Sequence, residues 1–170
     1  MNNPKIQITI KNYGTVTAEL YPEKAPKTVA NFLSLTDSGF FAGKIFHRVI
    51  SGFMIQGGGY GEEFYQGEVR EKEAATIYGE FSANGFGAND LHHAPGVLSM
   101  ARTSDPNSAS SQFFIMHGDA GYLDGQYAAF GRVTDGMDVV NRIAAAPTGR
   151  MGWFEDVPRE SVVIEKIERV

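Results

Sequence analysis

Two segments hold the residue types best able to do chemistry. The first is Phe46-His47-Arg48-Val49-Ile50-Ser51-Gly52-Phe53-Met54-Ile55-Gln56-Gly57-Gly58. The second is Ser99-Met100-Ala101-Arg102, followed by Ser111-Gln112-Phe113-Phe114-Ile115. Brought onto one face of a sheet, Phe53, Met54 and Phe114 would line an apolar, adaptable pocket. Arg48 would add a permanently charged donor fork. Gln56 and Gln112 could hold that fork or bind peptide backbone. Spacing alone also fits Phe53, Met54 and Phe114 as core residues and Arg48 as a surface strand residue. No nucleophile paired with a base accompanies the set, and Asp and Glu are too scattered to propose a carboxylate pair.

Such a set suits a reaction that breaks no lasting covalent bond. Rotation about an X-Pro peptide bond is one. Its barrier, about 18–20 kcal/mol, is the loss of amide resonance. As the bond twists, the nitrogen becomes pyramidal and its lone pair localises. A donor aimed there is worth more in the transition state than in the ground state, which is the condition for catalysis. The residue types permit this chemistry without selecting it.

Other motifs do not close. Gly39–Ile45 has part of a phosphate loop, but it is one residue short and lacks Ser or Thr after Lys44. Gly57-Gly58-Gly59-Tyr60-Gly61 misses dinucleotide-loop spacing because Glu62 stands where the last Gly belongs. It fits the end of a strand where backbones approach closely. His92 and His93 are adjacent, so on an extended segment they point to opposite sides, and no further ligands complete a metal pattern. No Ser lies in a G-x-S-x-G elbow.

The elements that must position these residues read as strands and turns. Ile6, Ile8 and Ile10 alternate with polar residues, then Val16, Ala18 and Leu20 do so after the turn signal Asn12-Tyr13-Gly14, predicting an antiparallel hairpin. Further strands are expected at 45–50, 53–57, 96–101, 112–116, 128–133 and 162–168. One helix is expected over 26–37, opened by Pro26 with Val29, Phe32, Leu33 and Thr36 on one face. A second is expected over 136–145, capped by Asp135, with Met137, Val140, Ile143 and Ala144 inward. Glu62–Glu73 reads as a surface loop, and Gly79–Ala94 as a long, irregular stretch too ordered in composition for a disordered tail. Many short strands between turn signals suggest a sandwich or a closed barrel.

The chain has 170 residues, a net charge of −5 and no Cys. The length suits one domain spanning 1–170. Absence of Cys removes disulfides, zinc-thiolate sites and thiol nucleophiles. The acidic balance argues against a nucleic-acid binder. No apolar run reaches the length of a membrane span, and the first residues show no secretory pattern. The expectation is a cytoplasmic protein.

Several long motifs in order are similar to those of the cyclophilins, and specifically of a bacterial cytoplasmic type. They are Phe46–Gly58, Ile77-Tyr78-Gly79-Glu80, Pro95–Ala101, Ser111–Ile115, Leu123-Asp124-Gly125 and Phe130-Gly131-Arg132-Val133. The resemblance implies a mainly β fold, a closed eight-stranded antiparallel barrel capped by two α-helices. It implies a cofactor-independent, metal-free peptidyl-prolyl cis/trans isomerase that assists folding. By position Arg48 resembles the catalytic arginine, and Gln56 the side chain that orients it. Phe53, Met54, Phe114 and Leu123 resemble the proline pocket, and His47 a histidine lining the same site. Ala101, Arg102 and Thr103 fall on the segment that pairs with substrate backbone, and Gln112 on another groove residue. Tyr122 stands where eukaryotic members often have tryptophan, Tyr127 where a histidine is frequent, and Arg102 where an asparagine is. Glu71-Lys72-Glu73-Ala74-Ala75 replaces a Gly-rich loop. These departures bear on cyclosporin affinity, expected to be weak, and on substrate preference.

The implied partners are proline-containing peptides and unfolded or folding proteins, met by a monomer, with no nucleic acid and no membrane. The alternative from another class is a non-catalytic scaffold that captures proline peptides in the same groove. Arg48 with Gln56 discriminates them, because capture alone does not require that pair. A small barrel that binds single-stranded nucleic acid would need an interleaved basic and aromatic stripe, which is lacking.

Overall fold

The computed structural model describes residues 3–67 and 74–170. Glu71, Lys72 and Glu73 of the charged segment, and the end of the 62–73 loop, lie outside the described residues. Ten strands occur in the order β1 (Lys5–Ile10), β2 (Gly14–Leu20), β3 (Lys44–Ile50), β4 (Met54–Gly61), β5 (Val97–Met100), β6 (Phe113–Met116), β7 (Ala129–Asp135), β8 (Thr148–Met151), β9 (Phe154–Pro158) and β10 (Ile164–Arg169). Helix α1 (Pro26–Asp37) precedes β3, and α2 (Met137–Ala144) follows β7.

Eight strands form one antiparallel sheet in the order β10-β1-β2-β7-β5-β6-β4-β3. Its two outer strands meet. Ile45 bridges Val163, and the Phe46 N–H donates to Val162 O at 3.0 Å. This makes the expected eight-stranded barrel, which leaves little edge for pairing with other chains. The alternating residues of β1 and β2 point inward as predicted, all at 1% exposure or less. Phe32 of α1 packs among Phe41, Phe113 and Phe130 at centroid distances of 5.0–5.3 Å. Val139, Val140 and Ile143 of α2 join the same cluster.

Three local expectations change. Asp135 is not the cap of α2. Strand β7 runs on to pair Asp135 with Thr17, and Gly136 takes the cap at φ 99°. A Cβ on Gly136 would stand 2.5 Å from Thr15 O, so close backbone contact as well as φ favours glycine there. The strand expected over 53–57 runs on through the Gly57–Gly61 run, which forms the second half of β4 and ends it at Gly61. The close approach is present, since a Cβ at Gly57 would meet Ile45 O at 2.5 Å. The hairpin β8–β9 was not predicted, because Gly149, Gly152, Pro158 and mixed charges hide any alternation.

Ala25, at the cap position of α1, has no side chain to bond the helix start. The carboxylate of Glu80, itself fully buried, supplies that bond from across the fold. It accepts from the Thr28 N–H at 2.7 Å, the Thr28 hydroxyl at 2.8 Å and the Lys27 N–H at 3.1 Å. Negative charge suits a helix N-terminus. The Glu80 carbonyl in turn accepts from Asn89 Nδ2, which also donates to Ala129 O of β7. The long 79–94 segment is thereby tied to both a helix and the barrel.

The variant Glu80→Ala strips those donors of their partner. It is expected to lose about 2 kcal/mol of stability, seen as a lower urea midpoint at unchanged slope. A midpoint equal to that of the wild type would show that the cap is dispensable.

Candidate active site

The site is built on the outside of the barrel, and one backbone irregularity puts its charge there. On β3 Phe46 pairs with Gly57 and Arg48 with Gln56. Two residues of β3 thus oppose one step of β4, and His47 is the extra one. Such a bulge shifts the alternation. Phe46 and Val49 both face the barrel core, while Arg48 between them faces out. Without the bulge Phe46 and Arg48 would share a face.

The register carries that outer face across the sheet. Arg48 pairs with Gln56, Gln56 with Phe114, Phe114 with Ser99, and Ser99 with Ala129. Around this row lies a second apolar cluster, separate from the barrel core. It contains Met54, Val97, Phe114, Met116, Leu123 and Ala129, with Phe53, Ala101 and Tyr127 packed against it. The sequence alternatives, core or pocket, both hold: these side chains form a small core whose open side is a pocket.

That pocket has a volume of about 130 Å³ and is walled by Phe53, Met54, Phe114, Leu123, Ala101 and Tyr127, with Arg48, Gln56 and Arg102 at its rim. Pockets that accept drug-sized ligands run about 300–1,000 Å³. This one suits a single small ring. Phe53 is held by its own backbone: its carbonyl accepts from the His117 N–H at 2.8 Å and the Gly118 N–H at 3.1 Å. The Gly52 N–H donates to His117 Nδ1 at 2.8 Å, fastening the same turn.

The polar rim is ordered by a short chain of bonds. Arg48 Nη1 donates to Gln56 Oε1 at 3.3 Å, and Gln56 Nε2 donates to Gln112 Oε1 at 3.0 Å. Gln112 therefore orients Gln56, and Gln56 orients the guanidinium. Arg102 donates to Gln126 O from Nε (3.2 Å) and Nη2 (2.8 Å) and to Thr103 O from Nη1 (2.9 Å). Its guanidinium lies over the rings of Phe81 (4.9 Å) and Tyr127 (4.7 Å). It fastens the 125–127 turn to the rim, which places Tyr127 edge-on to Phe114 at 5.9 Å.

Four expected residues stand apart from the pocket walls, one of them Gln112, which reaches the site only through Gln56. Thr103 borders an adjoining hollow and donates to Ser108 Oγ at 2.8 Å. Tyr122 is 73% exposed, with its ring 6.3 Å from that of Phe53. His47 is buried among Tyr60, Phe64 and Phe154, in a third cluster behind the strand. It is next to Arg48 in sequence, but the pocket walls do not include it.

Sequence reasoning missed the support behind Phe114. His93 is fully buried and stacks on Phe114 at 6.1 Å and 23°. Its Nε2 is 2.9 Å from Ser99 Oγ, and its Nδ1 is 2.9 Å from Asp124 Oδ1. Burial holds the His93 ring below its ordinary pKa, against the pull of Asp124. The neutral ring donates from Nδ1 to the carboxylate and accepts the Ser99 hydroxyl at Nε2. The sequence signal was the Leu123-Asp124-Gly125 motif, but nothing in it tells that Asp124 reaches His93. Among the described residues no group of three or more His, Asp or Glu side chains has the geometry to hold a metal ion.

Residues 5–169 match the family profile described as cyclophilin type peptidyl-prolyl cis-trans isomerase/CLD. Peptidyl-prolyl cis-trans isomerase B of Escherichia coli (strain K12) is 43% identical over 164 residues, covering 92% of this chain and 94% of that protein. A peptidyl-prolyl cis-trans isomerase of Streptomyces antibioticus is 43% identical over 160 residues, covering 89% and 90%. A Cryptosporidium parvum cyclophilin type isomerase superposes with a TM-score of 0.83 at 30% identity, covering 99% of this chain and 98% of that one. The same Cryptosporidium protein in the presence of the dipeptide Ala-Pro superposes with a TM-score of 0.81 at 31% identity, covering 98% of each chain.

Burial, and secondarily the charge of Arg48, push the His47 pKa down to about 4 from 6.5. Its Nδ1 has no hydrogen-bond partner among the described residues. The unfolded chain therefore takes up this proton at higher pH than the folded one. The neutral ring's contribution is complete above about pH 6.5 and is lost as pH falls towards about 4, amounting to about 3 kcal/mol. Between those limits His47→Phe is expected to lose that much less stability than the wild type in chemical denaturation. Parallel stability curves for the two proteins would contradict it.

Proposed function

Since the chain belongs to the cyclophilin-type peptidyl-prolyl cis-trans isomerases, a family that rotates X-Pro bonds without a cofactor, we propose that it does so through Arg48 above the Phe53–Met54–Phe114–Leu123 pocket. The observation that carries this reading is the Arg48–Gln56–Gln112 chain at the rim of a pocket sized for one small ring. The proline ring enters the pocket from the outer face of the barrel. The guanidinium then stands beside the prolyl nitrogen and donates to the lone pair that appears as the bond twists. Ala101, Arg102 and Thr103 run along the rim where the flanking peptide would lie.

Magnitudes apportion the work. An acceleration of about 10⁵ requires roughly 7 kcal/mol. One charged hydrogen bond supplies about 1.5–3 kcal/mol. The remainder falls to a dry, preorganised pocket and to the grip on the peptide. The bonds through Gln56 and Gln112 matter here, because a fork already aimed loses less freedom when it binds.

The clients in this reading are proline-containing peptides and unfolded or folding proteins. Tyr127 in the pocket wall and Tyr122 beside Phe53 support weak cyclosporin binding. A monomer acting in the cytoplasm completes the proposal.

The test is cis/trans exchange of an Ala-Pro peptide followed by NMR, with wild type and Arg48→Ala at equal concentration. The variant is expected to keep its fold and lose about 10- to 100-fold in rate. Full activity in a folded Arg48→Ala would remove Arg48 from the mechanism. Peptide binding without faster exchange in the wild type would favour a non-catalytic scaffold.

A further inference from the structure

The turn that carries Leu123 is fastened by a cluster that the isomerisation chemistry does not use. The ring of His92 lies between two carboxylates. Its Nδ1 is 2.5 Å from Asp124 Oδ2, and its Nε2 is 2.7 Å from Asp119 Oδ2. Both nitrogens can donate at once only when the ring is protonated. The other oxygen of Asp124 accepts from the His93 N–H at 2.7 Å and meets His93 Nδ1. The backbone follows the same path: the Ala120 N–H donates to His93 O, and the Leu123 N–H to Ala120 O, both at 3.0 Å.

One imidazolium thus joins the 91–94 segment to both ends of the Asp119–Asp124 turn. That turn carries Leu123, one wall of the pocket, and Asp124 fixes the His93 ring that backs Phe114, another wall. His92 is half exposed and borders a second hollow of about 420 Å³, so solvent protons reach it.

The surrounding charges set the direction. Hydrogen bonds with Asp124, then Asp119, hold the His92 pKa above its ordinary value. Burial pushes the Asp124 carboxyl up, but its bonds with His92 and His93 outweigh this and hold it low. His93 lies beyond Asp124, and Tyr21, Glu23, Lys24 and Arg132 line the same hollow as His92. Lys24 is itself paired with Asp90 at 2.6 Å. The two carboxylates at hydrogen-bond distance decide the sign.

We propose that His92 is a positioning residue for X-Pro isomerisation: as an imidazolium bridging Asp119 and Asp124 it holds Leu123 and, through Asp124 and His93, Phe114, and the pocket loosens when the proton leaves. This rests on the pocket's reading as the proline site.

The experiment compares the full chain as wild type, His92→Gln and His92→Lys. Ala-Pro exchange is followed by NMR from about pH 5.5 to about pH 9, the window in which histidine changes charge. Wild-type kcat/KM is expected to fall about fivefold or more with rising pH, chiefly through KM, with a midpoint above the ordinary histidine value of about 6.5. His92→Gln should show the low alkaline value throughout. His92→Lys, which keeps a positive charge, should stay high at alkaline pH. A flat wild-type profile, an unchanged fall in His92→Lys, or full acid-side activity in His92→Gln would overturn the proposal. In parallel, the Leu123 methyl and Phe114 ring signals should shift with the His92 imidazole. This readout needs no activity. Exchange that is absent at every pH would count against the functional reading, whereas Leu123 and Phe114 signals that stay still through the His92 titration would overturn the latch.

Discussion

A strand offers its side chains to two faces in strict alternation, and a barrel buries one of them. In β3 that rule would place Phe46 and Arg48 on the same side. Phe46 must fill the interior, where it packs edge-on to Phe113 at 6.0 Å. A guanidinium on that side would stand unpaired among apolar rings at a cost of several kcal/mol. The extra residue at His47 resolves the conflict. It restores Val49 to the core and turns Arg48 outward, into register with Gln56 and Phe114. The pocket rim, the orienting glutamines and the direction of the charge all depend on this one irregularity.

The bulge also explains the surroundings of His47. The displaced ring needs cover, and Tyr60, Phe64 and Phe154 provide it. Phe154 comes from the β8–β9 hairpin, so that small separate sheet helps bury the residue whose displacement aims the arginine. Removing water from the ring keeps it neutral, which spares Arg48 a like charge at the adjacent position.

Stability and function draw on the same side chains at the outer cluster. Met54, Phe114 and Leu123 are each at most 8% exposed, and full burial of such groups contributes roughly 1.5–3 kcal/mol apiece. A pocket made from a packed cluster costs less reorganisation on binding than one made from free loops. What remains adjustable is the edge of the pocket, where Arg102 and the 119–124 turn are held by polar contacts.

The sequence by itself carried the strands of the barrel, both helices to within a residue at each end, and the pocket members Phe53, Met54, Phe114 and Leu123. Alternation and helical spacing are local, and the long motifs around Arg48 and Gln112 are contiguous, so both can be read along the chain. Membership of the cyclophilin family was legible for the same reason. Other features were not local. The Glu80 cap of α1 spans 52 residues, the Asp124–His93 contact spans 31, and the Arg48–Gln56–Gln112 chain joins β3, β4 and the residue just before β6. The β8–β9 hairpin gains its strands from turns and neighbours rather than from its own alternation. His47 and Arg48 show the division most clearly: their identities were plain from the sequence. Which faced the pocket was decided by the register between β3 and β4, because a one-residue bulge reverses every facing beyond it and leaves no mark on composition.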